Sequence, residues 1–171
     1  VKEAATLYNL QSDLYSRLMN NESLLAGNSV LQSTYEELRN SNIARFENIE
    51  SQIKLLNQRE KNIDNFKTKL EELSQLNDEI IATNVVEKAE KQYNAIYFRS
   101  LKANGKLSEN DLRMLKRLAH QCPYIAGTAV FKSRSLYMRY EPNLNYNDNQ
   151  LCTGKYQMSE QELMQAKSQH L

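Results

Sequence analysis

Cys122 and His120 are the residues most able to do covalent chemistry in this chain, because a thiolate activated by an imidazole is a nucleophile. Their spacing works against it. Two positions apart on a helix, they point about 200° away from each other, so they cannot readily share a proton. A metal set of His120, Cys122, Cys152 and His170 follows no established ligand spacing. Glu109 and Asp111 form an acidic pair that suits the positive end of a helix better than general-acid work. Arg134 and Arg139, with Tyr137 and Tyr140, are of the types that stack on a base or a sugar. We expect them instead to line the exposed side of a helix. Ala126 to Ala129 holds one Gly and no following Lys and Ser/Thr, so it is no phosphate loop. Its small residues should let the helix after it approach the preceding helix closely. We therefore expect no catalytic residue, no cofactor and no metal. A deep pocket around Tyr124, Arg134 and Tyr146 would reopen the case for a small helical lyase or hydrolase.

The elements that must carry these residues read as helices. Only four Gly and two Pro occur among 171 residues, which argues against a β-sandwich. From Leu31 to Ile80 apolar residues recur three or four places apart, with no Gly or Pro between Asn28 and Asn84. This is an apolar stripe on a wet rod. As one straight helix, 29–84 would span about 80 Å. The heptad slips near Asn42 and again between Ile63 and Phe66. A break is expected, if anywhere, near Ser41 and Asn42.

Around that stretch, 2–26 reads as a helix stopped by Gly27 and Asn28. Residues 85–103 read as another, closed by Gly105. Ser108 is an N-cap for a helix carrying Leu112, Leu115, Leu118 and Ala119, which ends before Pro123. Residues 128–140 form a compact helix, followed by a loop over 141–148 rich in Pro, Asn and Tyr. Ser159 to Glu162 is a capping box that starts a last short helix. The fold expected is all-α: an elongated, antiparallel, three-helix coiled-coil-like bundle and then a small cap of short helices. Leu115, Leu118, Val130, Leu136 and Tyr137 should pack together in that cap.

Charge narrows the partners. The 22 basic and 21 acidic residues nearly cancel, so no electrostatic case exists for nucleic acid. No run of 18 apolar residues is present, so nothing inserts in a membrane. Protein partners are expected. Val1 to Ala5 is no signal peptide and lacks an initiator Met, so we expect a piece of a longer chain.

The two cysteines leave two readings open: a staple closing a loop of about 30 residues in an oxidising compartment, or two reduced, half-buried thiols.

One stretch resembles a segment of large secreted proteins of Bacteroidota, found near the tail that directs export by the type IX secretion system. Ala119, Cys122, Pro123, Gly127, Ala129, Val130, Arg134, Leu136, Tyr137, Asp148 and Cys152 match its pattern. Ser133 stands where the pattern has Ala, and one of two Gly is replaced, at Ala126 or Thr128. The likeness covers roughly 107–152. It implies export, an extracellular or cell-surface location, and a disulfide between Cys122 and Cys152. It implies no activity.

Three units are therefore expected: a long helical bundle over 1–104, a cysteine-stapled cap over 105–157, and a C-terminal helix or junction over 158–171. The role expected is a non-enzymatic structural spacer, stalk or interaction module of an exported protein. The alternative is an intracellular, cytoplasmic coiled-coil assembly or adaptor protein that dimerises through 29–84.

Overall fold

The computed structural model describes residues 2–58 and 63–153. The capping box at 159–162, the unit expected over 158–171 and His170 lie outside the described residues. All regular structure among the described residues is helical. α1 spans Lys2–Met19, α2 Ser29–Arg39, α3 Asn42–Gln58, α4 Ile63–Glu79 and α5 Val85–Lys102. α6 spans Glu109–Ala119, α7 Pro123–Ala126, α8 Ala129–Tyr137 and α9 Asp148–Cys152.

α1 stops at Met19, well before the expected end at 26. The cause is a pair of asparagines. The Asn20 amide donates to the Ser16 carbonyl at 2.7 Å, and Asn21 leaves the helical region at φ −146°. Asn side chains compete with the backbone ladder in this way. A single 3₁₀ turn, Glu22–Leu24, follows. Gly27, at φ 76°, then turns the chain, and the Asn28 side chain caps α2 by accepting from the Leu31 N–H at 3.1 Å.

The continuous rod over 29–84 does not form. It is cut at Asn40 and Ser41, where side chains replace ladder bonds. Asn40 donates to the Glu36 carbonyl at 2.8 Å, Ser41 donates to the Leu38 carbonyl at 2.7 Å and accepts from the Ile43 N–H at 3.2 Å. The second change of direction falls between α3 and α4, beside the heptad slip at Ile63. α3 and α4 pack against each other, and Asn42 at the start of α3 donates to the carbonyl of Ile81, just past α4, at 2.9 Å. The two helices are therefore antiparallel. Each is 17 residues, or roughly 26 Å at helical rise. Chain reversal wins because a straight stripe would leave its apolar residues in water. Folded back, Phe46, Ile49, Leu70, Leu73 and Ile80 bury one another with Phe98 of α5. Each fully buried Leu or Ile there contributes roughly 1.5–3 kcal/mol of transfer free energy.

α5 is the central helix. Asn84 caps it, accepting from the Glu87 N–H at 2.9 Å. It returns along α4: Asn77, fully buried, donates to the Lys91 carbonyl at 3.0 Å and accepts from Asn94 at 3.2 Å. One side of α5 thus meets α3 and α4. Another presents Ala89 and Ile96 to a core made with Leu115, Leu118, Val130, Leu136 and Tyr137. Those last five are the residues expected to pack together. Gly105, at φ 85°, ends α5 by donating to the Ser100 carbonyl at 2.7 Å, and Ser108 caps α6 through the Asp111 N–H at 3.1 Å.

Contacts also cross the compositional shift near Gly105. α1 packs on α7, and α5 packs on α6, α7 and α8. Gly127 adopts φ 77°, and a Cβ there would lie 2.8 Å from Val86 Cγ1. The small residues of 126–129 do permit a close approach, but at Gly127 the neighbour is α5. Among the described residues no helix is long and apolar enough to cross a membrane.

Candidate functional site

Cys122 and Cys152 are disulfide-bonded, with their Cα atoms 4.8 Å apart. Cys122 precedes Pro123, which opens α7 at a position where a missing N–H costs nothing. Cys152 ends α9, which Asn147 caps by accepting from the Gln150 N–H at 3.2 Å. The bond therefore joins the start of α7 to the end of α9, and it commits the only two thiols. His120 has no thiol to activate. Its Nδ1 lies 2.8 Å from the Lys116 carbonyl oxygen, and its ring meets Tyr146 edge-on at 5.1 Å.

Arg134 is not on the exposed side of α8, and neither is Tyr137: both are buried. α8 packs on α6 on one side and receives the 141–152 segment on another, so an arginine here is enclosed. Its Nε donates to the Ala119 carbonyl at 2.9 Å. Its two terminal nitrogens reach the carboxylate of Asp148 at 2.5 and 3.3 Å. Tyr146 lies against its guanidinium plane at 4.4 Å. A bidentate, stacked arginine of this kind pairs a buried charge with a carboxylate. It fastens the loop to α6 and α8 beside the disulfide. Of the other two residues expected on that face, Arg139 is exposed, and Tyr140 donates to the Gly105 carbonyl at 2.6 Å.

A hollow of about 410 Å³ lies along 145–149, but neither Tyr124 nor Arg134 lines it. Asp111 is bonded to Arg99 and Ser108. Burial alone would raise its pKa, but Arg99, at 2.6 and 2.9 Å, and Ser108 hold it below the usual carboxylate range. Among the described residues no group of three His, Cys, Asp or Glu is placed to hold a metal ion.

The cluster with the strongest electrostatics was not foreseen. Lys132 of α8 reaches Glu50 of α3 at 2.9 Å and Glu90 of α5 at 3.1 Å. Thr128 donates to Glu90 at 2.7 Å. Burial would lower the Lys132 pKa, but the two carboxylates raise it above the ordinary lysine value. Glu50, which burial would raise, is held low chiefly by Lys132. Lys132 thus stays charged and bars a groove into two clefts, about 350 and 360 Å³. In the first, Tyr93 stacks on Tyr97 with centroids 5.8 Å apart, and burial pushes the Tyr93 hydroxyl up to about 12. In the second, burial and then Glu90, Glu87 and Glu47 push the Tyr8 hydroxyl up further.

One signal for the cluster was present in the sequence. α5 carries apolar residues around most of its circumference, so its acids had to be enclosed with partners. The partners themselves left no local trace. Compared with protein-family models, with curated proteins and with solved structures, the chain matches none.

Proposed function

We propose that this chain is a non-enzymatic helical spacer or interaction module of an exported, cell-surface protein. The observation that carries the reading is the bonded Cys122–Cys152 pair standing beside the Arg134–Asp148 clamp. The residues shared with the secreted-protein pattern are engaged in internal contacts. Ala119 supplies a carbonyl to Arg134, Gly127 sits against Val86, and Ala129, Val130, Leu136 and Tyr137 are core. Groups consumed this way stabilise a shape and leave no reactive atom at the motif.

In this reading α3, α4 and α5 run up, down and up as a three-helix, coiled-coil-like support, and α6 to α9 close one of its sides. The adaptor alternative needs a free apolar stripe between 29 and 84 for a second chain. Ile49, Leu70, Leu73 and Ile80 are instead buried within one chain, which favours the first reading.

The test uses the full-length protein recovered from its native cells in iodoacetamide without reductant. Mass analysis of the Cys122 and Cys152 peptides should find them linked and unalkylated in the surface or secreted fraction. Two alkylated cysteines, with the protein in the cytoplasm, would overturn the proposal.

A further inference from the structure

The cleft on the Tyr93 side of Lys132 has the makings of a binding site. Its volume, about 350 Å³, falls in the ordinary range for small ligands, roughly 300–1,000 Å³. Three helices wall it, and each offers residues one helical face apart. Phe46, Glu50 and Ile53 come from α3, Glu90, Tyr93 and Tyr97 from α5, and Lys132 and Leu136 from α8, with Arg139 just past its end. In each set the chain ascends from the Lys132 end toward the Arg139 end.

The two ends differ in charge. At one, Lys132 is paired with both Glu50 and Glu90, and Lys54 with Glu50, so neither cation there is free for an incoming anion. At the other, Arg139 is exposed and has no ion pair among the described residues. Ser135 and the Tyr93 hydroxyl, also on the wall, make no hydrogen bond among the described residues. Between the ends lie Ile53, Leu136 and the stacked Tyr93 and Tyr97 rings. The wall thus offers an apolar middle, the Ser135 and Tyr93 hydroxyls along it, and one cation unpaired among the described residues, Arg139, at the far end.

We propose that this cleft binds a small anionic amphiphile: an apolar or aromatic body of about one ring, bearing a single carboxylate. The carboxylate meets Arg139, helped by Ser135 and Tyr93. The body lies on Leu136, Ile53 and Tyr97, pointing toward the Lys132 bridge. The inference is separate from the exported-spacer reading, since it uses neither the disulfide nor the location of the chain.

The test is an amide chemical-shift titration of the ¹⁵N-labelled protein with 3-phenylpropanoate, beside its neutral counterpart 3-phenylpropan-1-ol. The acid should give saturable shifts centred on 93–97 and 135–139. The alcohol, and the acid against Arg139→Glu, should each bind about tenfold more weakly or worse, the loss of one charge-assisted contact. Arg139 is exposed, so this variant keeps its fold, and its unliganded spectrum beyond α8 should overlay the parent's. Equal binding of acid and alcohol would overturn the proposal. So would binding indifferent to Arg139→Glu, shifts centred on other surfaces such as Leu7 and Leu10, or the absence of saturable shifts.

Discussion

Replacing Gly127 with Ala tests how α5 and α8 are held together, and its cost has two separable parts. The first is backbone. Gly127 sits at φ 77°, ψ −157°, a region essentially reserved for glycine, where another residue costs about 1–3 kcal/mol. The second is steric. The new methyl would lie 2.8 Å from Val86 Cγ1. Val86 is 2% exposed and β-branched, so it has little freedom to turn away. Overpacking of this kind costs about 1–3 kcal/mol. The sum is about 2–6 kcal/mol, and a loss of 4 kcal/mol lowers Tm by roughly 8–16 °C in a chain of this size. Urea unfolding followed by helical circular dichroism measures the loss. A double-mutant cycle with Val86→Ala separates the parts. That substitution alone costs about 1.5–3 kcal/mol. In its background the steric share of Gly127→Ala should vanish while the backbone share stays, a coupling of about 1–3 kcal/mol. A Gly127→Ala cost below about 0.5 kcal/mol would refute both parts. An equal cost in both backgrounds would refute the close approach to Val86.

The disulfide closes a loop across a sequence separation of 30, so Cys122→Ser with Cys152→Ser should cost about 3–4 kcal/mol. Calorimetry of parent and variant without reductant measures it, and equal Tm values would remove the staple from the account. Lys132→Met strands Glu90, whose side chain is only 6% exposed, and should cost about 2–4 kcal/mol. Adding Glu90→Gln should recover part of that in denaturant unfolding, and no recovery would refute the pairing. Glu87 supplies a pH signature. Burial alone would raise its pKa, but the Thr83 N–H at 2.7 Å, with Asn42 and the Thr83 hydroxyl, holds it below its ordinary 4.5. A carboxyl lowered on folding contributes stability above its unfolded pKa, and this is lost as pH falls through the folded value. Glu87→Gln should therefore cost about 1–3 kcal/mol at neutral pH, with the gap closing as pH drops below about 4.5. A gap that stays constant with pH would refute the assignment.

Local chemistry wrote much of the secondary structure into the chain. Asn28, Asn84 and Ser108 act as caps because each has an oxygen that reaches an N–H three residues on, and Gly105 tolerates the left-handed turn that closes α5. Apolar spacing picked out the shared core of Leu115, Leu118, Val130, Leu136 and Tyr137. It also placed a weak point near Ser41. None of these needs more than a turn or two of neighbouring chain. Asn20 was the exception, a local stop hidden by apolar spacing that continued past it.

What covers each stripe was decided elsewhere. Periodicity records which side of a helix avoids water, and not whether a partner chain, a separate helix or its own second half does the covering. The 29–84 stripe folds back on itself because two antiparallel halves bury each other, and spacing alone is the same in either outcome. Arg134 reads as a surface residue until Asp148, Tyr146 and the Ala119 carbonyl surround it. Lys132 finds Glu50 across 82 positions of sequence, and no pattern within one helix records a Coulomb partner on another. The helices and their ends belong to the sequence. The clefts, the enclosed charges and the reversal of the long stripe belong to the packing, because burial and electrostatics act through space without regard to separation along the chain.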